Sequence, residues 1–331
     1  MKIRETVGID ISKKTMDACI HGKQRSEVFE NSKGEFKKLL SWAYKNSSFN
    51  KDNILFVFEH TGLYSHQLAL FLSERNIPFC LVPGLEIKRS LGIARGKDDK
   101  VDAKRIALYG YRLRDELEPY KMPTKTINTL KSLLSLRDRL VKQNSGYKAS
   151  LSEQKRVLAA KENKVLFQTQ ERTISYLSKQ IKAIDREIQL IISSEEELKE
   201  MYDLIISIKG VGPQITLYMI VYTNAFTKFD NARKFSSYCG IAPFPNSSGT
   251  SIRGKNRVNH MANKKIKSLL ELGARSAIQC SAEMRIYYLN RVEKGKNKTS
   301  TLNIIRNKLV ARIFAVIDRK TPYVDVLKYA A

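Results

Sequence analysis

The sequence has few cysteines, and none of them are closely spaced. Its 331 residues include four, Cys19, Cys80, Cys239 and Cys280, and no Cys-x-x-Cys pair occurs. A zinc site or a disulfide framework is therefore not expected. Each cysteine lies among apolar neighbours, so we expect four small buried side chains in a protein of the reducing cytosol.

Long apolar runs are also absent. No stretch of the sequence approaches the roughly 20 apolar residues that span a bilayer, and the first residues lead into a strand pattern without the apolar segment of a signal peptide. The sequence thus predicts a cytoplasmic protein without a membrane partner.

Acidic residues are scarce relative to basic ones. Asp and Glu number 33 against 59 Lys and Arg, which gives a formal net charge of +26. A protein this basic is expected to bind a polyanion, and nucleic acid is the main candidate. An anionic membrane surface is the competing partner, but no basic amphipathic helix stands apart from an apolar core pattern.

Glycine nearly disappears in the middle of the chain, where Gly146 is the only one between residues 124 and 200. Pro123 precedes this region, and apolar residues recur in it at steps of three and four, the spacing of a heptad seam. They are Leu130, Leu133, Leu136 and Leu140, then Ile174, Leu177, Ile181, Ile184, Ile188 and Ile191. The pattern predicts coiled-coil helices, which either bury their own seam in a hairpin or form a dimerisation arm, or do both. We expect three domains, over residues 1–122, 123–200 and 201–331.

The first domain carries alternating strand and helix patterns. Residues 6–11, 16–20 and 26–30 read as three successive strands, and the apolar runs 54–58 and 79–83 read as two more, separated by helical spacing. A basic loop from Lys88 to Lys100 leads into a helix. The order β-β-β-α-β-α-β-α is that of the ribonuclease H-like fold, and the region after residue 201 is expected to be mainly α-helical.

Four acids stand at positions where this fold can bring them together. Asp10 interrupts the buried first strand, Glu59 ends the fourth, and Asp99 and Asp102 lie where a loop turns into a helix. Asp98 competes with Asp99 for one position, and the spacing of three residues to Asp102 favours Asp99. Clustered carboxylates repel one another unless divalent cations neutralise them. Mg²⁺, or Mn²⁺ in its place, suits such oxygen ligands, and a pair of ions supports phosphodiester cleavage. Taken singly, the acids can also be helix caps or surface charges.

Two stretches of the last domain are candidates for phosphate contact. Residues 205–215 (IISIKGVGPQI) place Lys209, Gly210 and Gly212 between two helical patterns, either as a helix-hairpin-helix turn that binds phosphate or as a tight turn between packed helices. Residues 245–255 (PNSSGTSIRGK) are small and polar, so we expect a loop.

Cations lie at the end of this stretch and just after it, at Arg253, Lys255 and Arg257. The residues alone leave three interpretations open: an ordinary loop, a phosphate-binding loop, or a loop that presents a serine nucleophile, which needs activation by a base, a metal or positive charge.

The chain resembles, nearly end to end, the DEDD transposases of bridge-RNA-guided insertion sequences, which are relatives of the Piv site-specific DNA invertase. The resemblance rests on the order and spacing of six segments. They are residues 8–12 (GIDIS), 59–64 (EHTGLY), 97–103 (KDDKVDA), 208–212 (IKGVG), 235–243 (FSSYCGIAP) and 248–254 (SGTSIRG).

The resemblance implies a RuvC-like first domain whose metal ligands are Asp10, Glu59, Asp99 and Asp102, a coiled-coil middle, and a transposase domain whose nucleophile is Ser248. It further implies a covalent phosphoserine intermediate with DNA. The expected partners are target and donor duplex DNA, a structured non-coding guide RNA, and further copies of the chain in dimers or tetramers with a composite site. The setting is the cytoplasm of a prokaryotic cell.

Two features depart from the family pattern. The family often has Lys-Gly-Asn downstream of the serine, where this chain has Met261, Ala262 and Asn263, so that turn is expected to differ. Ser247 directly precedes Ser248 and leaves open which hydroxyl reacts.

Two other functions compete with recombination. In a metal-dependent nuclease of the Holliday-junction type, the acids would act on water and the Ser248 stretch would only bind phosphate. In a non-enzymatic nucleic-acid scaffold, Asp10→Asn would leave function intact.

The charge balance generates the first prediction. Binding to duplex DNA should weaken steeply with salt, because each neutralised phosphate releases counterions. Six phosphate contacts would reduce affinity roughly 10³-fold between about 50 and 200 mM monovalent salt. Fluorescence anisotropy with labelled duplex across a salt series measures the slope, and a flat response would contradict the polyanion interpretation.

Overall fold

A computed structural model describes residues 2–90, 99–248 and 252–325. The chain divides into two compact units, Met1–Met122 and Pro123–Ala331. Each has its own hydrophobic core. The separate coiled-coil domain of the three-domain division stays a prediction.

The first unit is a mixed sheet with helices on both faces. Its elements are β1 (Glu5–Ile11), β2 (Thr15–Ile20), β3 (Arg25–Glu30), α1 (Lys33–Asn46), β4 (Ile54–Glu59), α2 (Leu63–Ser73), β5 (Phe79–Val82), α3 (Gly84–Ser90) and α4 (Asp99–Arg112). A short 3₁₀ turn, Lys51–Asn53, precedes β4. The strands lie in the order β3-β2-β1-β4-β5, with β1, β4 and β5 parallel and the first three strands antiparallel.

Alternation along the central strands divides the core between the two faces. Val7 and Ile9 of β1 face α1 and α2, whereas Leu55 and Val57 of β4 face α3 and α4. The predicted mixed α/β sheet is confirmed, and its element order is compatible with a RuvC-like domain.

Helix α4 approaches β1 unusually closely at Gly8. A Cβ placed on Gly8 would lie 2.1 Å from the backbone nitrogen of Ala107 and 2.5 Å from the carbonyl oxygen of Ala103. The hydroxyl of Thr6 donates to the carbonyl of Ala107 at 2.8 Å. Only a residue without a side chain allows this packing, which sets α4 antiparallel to β1, with the N-terminus of α4 toward the carboxyl end of the strand.

The second unit is mostly helical, as the sequence predicts. Its elements are α5 (Lys125–Val157), α6 (Lys164–Ser194), α7 (Glu196–Ile206), α8 (Pro213–Tyr222), α9 (Ala232–Tyr238), β6 (Pro243–Ser248), β7 (Ile252–Val258), α10 (Lys264–Cys280), α11 (Ala282–Glu293) and α12 (Lys298–Arg319). Among the helices in the described part of the chain, none is long and apolar enough to cross a membrane.

The long helices α5 and α6 form a hairpin whose base belongs to the core of this unit. Leu130 of α5 and Ile188 of α6 are fully buried there together with residues of α7 to α12. Further along the hairpin, Arg137 donates to Asp185 at 2.5 Å and Gln170 donates to Gln154 at 2.6 Å. Polar pairs thus interrupt the seam, and a coiled-coil dimerisation arm stays a prediction.

Three sequence expectations are wrong in detail. The basic loop from Lys88 to Lys100 is shorter at both ends, because α3 extends through Ser90, with Ile87 buried, and α4 begins at Asp99; residues 91–98 lie outside the described residues. The stretch around residues 245–255 is largely a β-hairpin, since β6 and β7 satisfy each other's backbone groups across an antiparallel ladder. Cys280 is exposed, whereas the other three cysteines are buried.

The close approach at Gly8 generates a stability prediction. Gly8→Ala should lower the free energy of unfolding of the first unit by about 3 kcal/mol, the upper end of the usual cost of overpacking, because a backbone cannot move aside as a side chain can. Trp42 is the only tryptophan and packs against Phe29 in this unit, so urea unfolding followed by its emission reports the unit directly.

Gly34→Ala is the matched control for this measurement. Gly34 lies in α1 with nothing within 4 Å of an added Cβ, so alanine should leave stability unchanged or raise it by up to about 1 kcal/mol. Equal stability of Gly8→Ala and the wild type would contradict the packing described for α4.

Candidate active site

Asp10 and Glu59 lie side by side at the carboxyl ends of two parallel strands. The register pairs Ile9 of β1 with Phe58 of β4, and the two acids are the next residues on each strand. Alternation places Asp10 on the same face as Gly8 and Glu59 on the same face as Val57, which is the face that α4 covers. Neighbouring strands are about 4.8 Å apart, so the two partly buried side chains leave the sheet from adjacent positions on one face.

A third carboxylate, Asp17 of β2, lies directly opposite Asp10 in the antiparallel register. Like charges opposite each other destabilise a sheet. Asp17 was not singled out from the sequence, because only the register between β1 and β2 shows that it lies beside Asp10.

The carboxylate of Glu59 packs against the first residue of α3. A Cβ on Gly84 would lie 2.0 Å from Oε1 and 2.6 Å from Oε2 of Glu59. The absence of a side chain at Gly84 therefore leaves the space that the Glu59 carboxylate occupies. Sequence analysis missed this residue, and the only available signal was a glycine directly after the fifth strand.

Helix α4 brings the remaining two acids to the same end of the sheet. Ala103 of α4 lies against Gly8 of β1, and Gly8 is two residues before Asp10 in the strand. The first turn of α4 therefore lies near the carboxyl end of β1. Asp102 belongs to this turn and is 3.8 Å from Arg105. Asp99 is the first residue of α4, but its side chain, like the whole of Asp98, lies outside the described residues.

The acids fit a divalent cation in donor chemistry but form only part of a site. All offer carboxylate oxygens, the ligands that Mg²⁺ and Mn²⁺ take in proteins. Among the side chains that the structure describes, no three His, Cys, Asp or Glu residues could hold a metal ion together. Asp102 is described and does not complete a set of three with Asp10 and Glu59, so this pair would need Asp99, whose side chain lies outside the described residues, or substrate oxygens to complete the coordination.

The serine segment lies on the β-hairpin of the second unit. Ser248 is the last residue of β6 and pairs with Ile252 of β7, and Ser247 pairs with Arg253. The side chains of Ser247, Ser248, Arg253 and Lys255 lie outside the described residues. The side chain of Arg257 is among those that the structure describes, and it is exposed. Arg257 lies opposite Phe244 in the antiparallel register.

The glycine turn between α7 and α8 is explained largely by packing. Gly210 has a φ of +90°, and a Cβ there would lie 2.7 Å from Cα of Ala277 on α10. Gly212 has nothing within 4 Å of an added Cβ and precedes Pro213 at the start of α8. The turn therefore needs Gly210 for its conformation, and phosphate contact at Gly212 stays a prediction.

Lys209, which the sequence assigns to nucleic acid, forms an ion pair with Asp325 at 2.7 Å. The hydrogen bond that Lys209 donates to the Asp325 carboxylate raises the pKa of this lysine. A phosphate at this position would have to compete with that carboxylate.

The contacts of residues 262 and 263, in the segment that departs from the family pattern, are described by the structure. The Asn263 side chain caps α10 by accepting from the backbone of Ile266 at 3.1 Å. Cβ of Ala262 lies 2.4 Å from where Gly240 would carry its own Cβ, so the small residue at 262 packs on the left-handed glycine turn, where Gly240 has a φ of +65°.

Comparisons with known proteins match both units. A transposase family model of the IS110 DEDD type matches residues 7–158, and the model described as "Transposase IS116/IS110/IS902 family" matches residues 202–289. The chain is 29% identical over 323 residues to the "Pilin gene-inverting protein" of Moraxella bovis. The aligned residues cover 96% of this chain and 97% of that protein.

A protein of the same name from Moraxella lacunata matches to the same extent. An "Insertion element IS110 uncharacterized 43.6 kDa protein" of Streptomyces coelicolor is 26% identical over 151 residues, which cover 46% of this chain and 36% of that protein.

The contact between Gly84 and Glu59 generates a prediction about cation binding. Gly84→Ala should displace the Glu59 carboxylate and weaken Mn²⁺ binding at least about tenfold, as loss of a ligand or its support does. Titration calorimetry measures the affinity, with Glu59→Gln expected to show a similar loss and Gly34→Ala expected to bind as the wild type.

Stability separates displacement of the carboxylate from unfolding. Because the neighbour that must move is the end of a flexible side chain, the Trp42 unfolding curve of Gly84→Ala should match the wild type. Unchanged Mn²⁺ affinity in Gly84→Ala, together with a loss in Glu59→Gln, would show that the contact does not position the carboxylate.

Proposed function

Because the chain belongs to the IS110 family of DEDD transposases, and is thus a DNA recombination enzyme, we propose that it is the RNA-guided recombinase of an insertion sequence. It cuts and rejoins DNA through Ser248 and an acidic quartet of Asp10, Glu59, Asp99 and Asp102 that holds Mg²⁺ or Mn²⁺.

The observation that carries this proposal is the meeting of Asp10 and Glu59 at the ends of β1 and β4, under the N-terminal turn of α4. This is a place for phosphodiester chemistry, because clustered carboxylates need cations and cations bind phosphate oxygens. The first transposase model spans all four acids, and the second spans the serine hairpin, which supports treating both as parts of one activity.

The serine conserves the energy of the DNA backbone. Oγ of Ser248 attacks phosphorus and gives up its proton to a base, while the bond from phosphorus to the 3′ oxygen breaks and that oxygen is protonated. The phosphate remains on Ser248 as an ester. The 3′-hydroxyl of the partner strand then attacks this ester, the bond to Ser248 breaks, and the serine hydroxyl is restored.

The acidic residues and the arginines have different tasks in this scheme. Asp10, Glu59, Asp99 and Asp102 would hold divalent cations, whose charge would help to activate a nucleophile and to stabilise a leaving oxygen. Arg253, Lys255 and Arg257 bind DNA phosphates beside Ser248, and Lys209 with the backbone at Gly210 and Gly212 extends this contact.

The net charge of +26 supports more than one nucleic-acid partner. We propose that these are target and donor duplex DNA and a structured guide RNA that selects sites by base pairing. Two or four copies of the chain assemble, and the acids of one subunit act with the serine of another in the prokaryotic cytoplasm. The relatives named for inverting a pilin gene support a rearrangement in which cut ends are rejoined.

Substitution of the serine tests the proposal. With labelled DNA, guide RNA and Mg²⁺, Ser248→Ala should reduce strand exchange and the covalent protein–DNA adduct to less than about one-thousandth of the wild type, because the nucleophile is lost. Denaturing gels detect the adduct, which should disappear for the wild type in excess chelator. Without RNA, the wild-type protein should recombine no correct sites.

Ser247→Ala is the matched control and should keep the adduct. An adduct that persists in Ser248→Ala but not in Ser247→Ala would transfer the role to Ser247. Metal-dependent cutting without an adduct in any variant would establish the alternative, a Holliday-junction-type nuclease that uses water. Full activity of Asp10→Asn would refute both enzymatic functions.

A further inference from the structure

Phe244 is an aromatic side chain with an exposed face, and it lies on the serine hairpin. It is the second residue of β6 and remains 41% exposed, whereas Phe235 on the adjoining helix α9 is fully buried. Scattered exposed aromatics need no explanation by themselves. The surroundings of Phe244 distinguish it.

Two arginines flank the ring. The guanidinium of Arg233 lies 5.5 Å from the ring centroid, within the range of a cation–π contact. Arg257 lies directly opposite Phe244 in the ladder, so both side chains leave the hairpin on the same face, with Cβ atoms about 5 Å apart. Both arginines are exposed, and a ring between two exposed cations suits an anionic, planar ligand.

The position of the ring is fixed by the backbone on both sides. Arg233 on α9 donates to the carbonyl of Pro243 at 2.8 Å, which ties the start of β6 to the helix. A register shift follows between Phe244 and Asn246. There Gly254 approaches so closely that its Cβ would lie 2.8 Å from the carbonyl oxygen of Asn246. A ring held in this way loses little freedom when a ligand binds.

We propose that Phe244, with Arg233 and Arg257, is a stacking site for an unpaired nucleobase beside the bond that is cut. The ring stacks on the base and the arginines bind the flanking phosphates, the combination by which single strands are held. Phe244 precedes Ser248 by four residues, roughly 13 Å along a strand. The location beside the cleaved bond rests on the function proposed for Ser248.

Duplex DNA is the poorer ligand for this site. Its bases are stacked on each other and offer no free face to a protein ring, whereas strands displaced during exchange do. A single strand of DNA and an unpaired stretch of RNA share the required chemistry, and the experiment below separates them.

Oligonucleotide binding tests the site without requiring recombination. Anisotropy is measured at fixed salt with labelled 12-mers of deoxythymidine and of uridine and with a duplex. Phe244→Ala should weaken single-strand binding about 5- to 100-fold, the range for one stacked base, and should change duplex binding less than twofold. Loss with only one of the two 12-mers would identify DNA or RNA as the ligand.

The controls separate stacking from charge and from folding. Phe244→Tyr keeps a ring and should bind as the wild type, as should Phe49→Ala, which removes an aromatic of similar exposure, 38%, from the first unit. Arg257→Gln should reduce the slope of log affinity against log salt concentration by about the share of one phosphate contact. Phe244→Ala should leave this slope unchanged.

Two results would overturn the proposal: single-strand binding of Phe244→Ala equal to that of the wild type, or an equal loss with duplex. Binding of the 12-mers requires no cleavage, whereas the covalent adduct requires a working nucleophile. Failure of the stacking site is therefore distinguishable from failure of the proposed nucleophile.

Discussion

The contact between α4 and β1 at Gly8 is the constraint on which the candidate metal site depends. The helix backbone lies so close to the strand that no side chain fits between them. This contact fixes the distance between α4 and the sheet. The hydrogen bond that Thr6 donates to the carbonyl of Ala107 fixes the position of the helix along the strand. The first turn of α4, with Asp99 and Asp102, reaches the strand ends where Asp10 and Glu59 lie. A bulkier residue at position 8 would move the helix and its acids away from the other two.

The distribution of charge between the two units has a physical logic. The first unit concentrates carboxylates at one end of its sheet, with Asp17 opposite Asp10, an arrangement that is favourable only with cations or other positive charge nearby. The second unit places hydroxyls and arginines on a hairpin. In the proposed reaction, phosphate would be attracted to the first place through bound cations and to the second place directly by the arginines.

The N-terminal strands were predictable to within a residue, because apolar runs bounded by turn residues have few other solutions. The hairpin β6–β7 was not, since residues such as Asn246, Ser247 and Gly254 have little strand propensity and pair only because the partner strand is present. The roles of Gly84 and of Phe244 were also hidden. Each depends on a neighbour distant in sequence or across a ladder, Glu59 in one case and Arg257 in the other.

By itself, the sequence determined the order of strands and helices, the excess of positive charge, and which acids and serines were candidates, because periodicity, composition and motif spacing are local properties of a chain. The tertiary structure decided which candidates meet. Parallel register brought Asp10 beside Glu59, close packing brought α4 to them, and Gly210 proved to be held by contact with α10 at Ala277. Such proximities arise from how elements pack against one another, and the spacing of residues along the chain does not contain them.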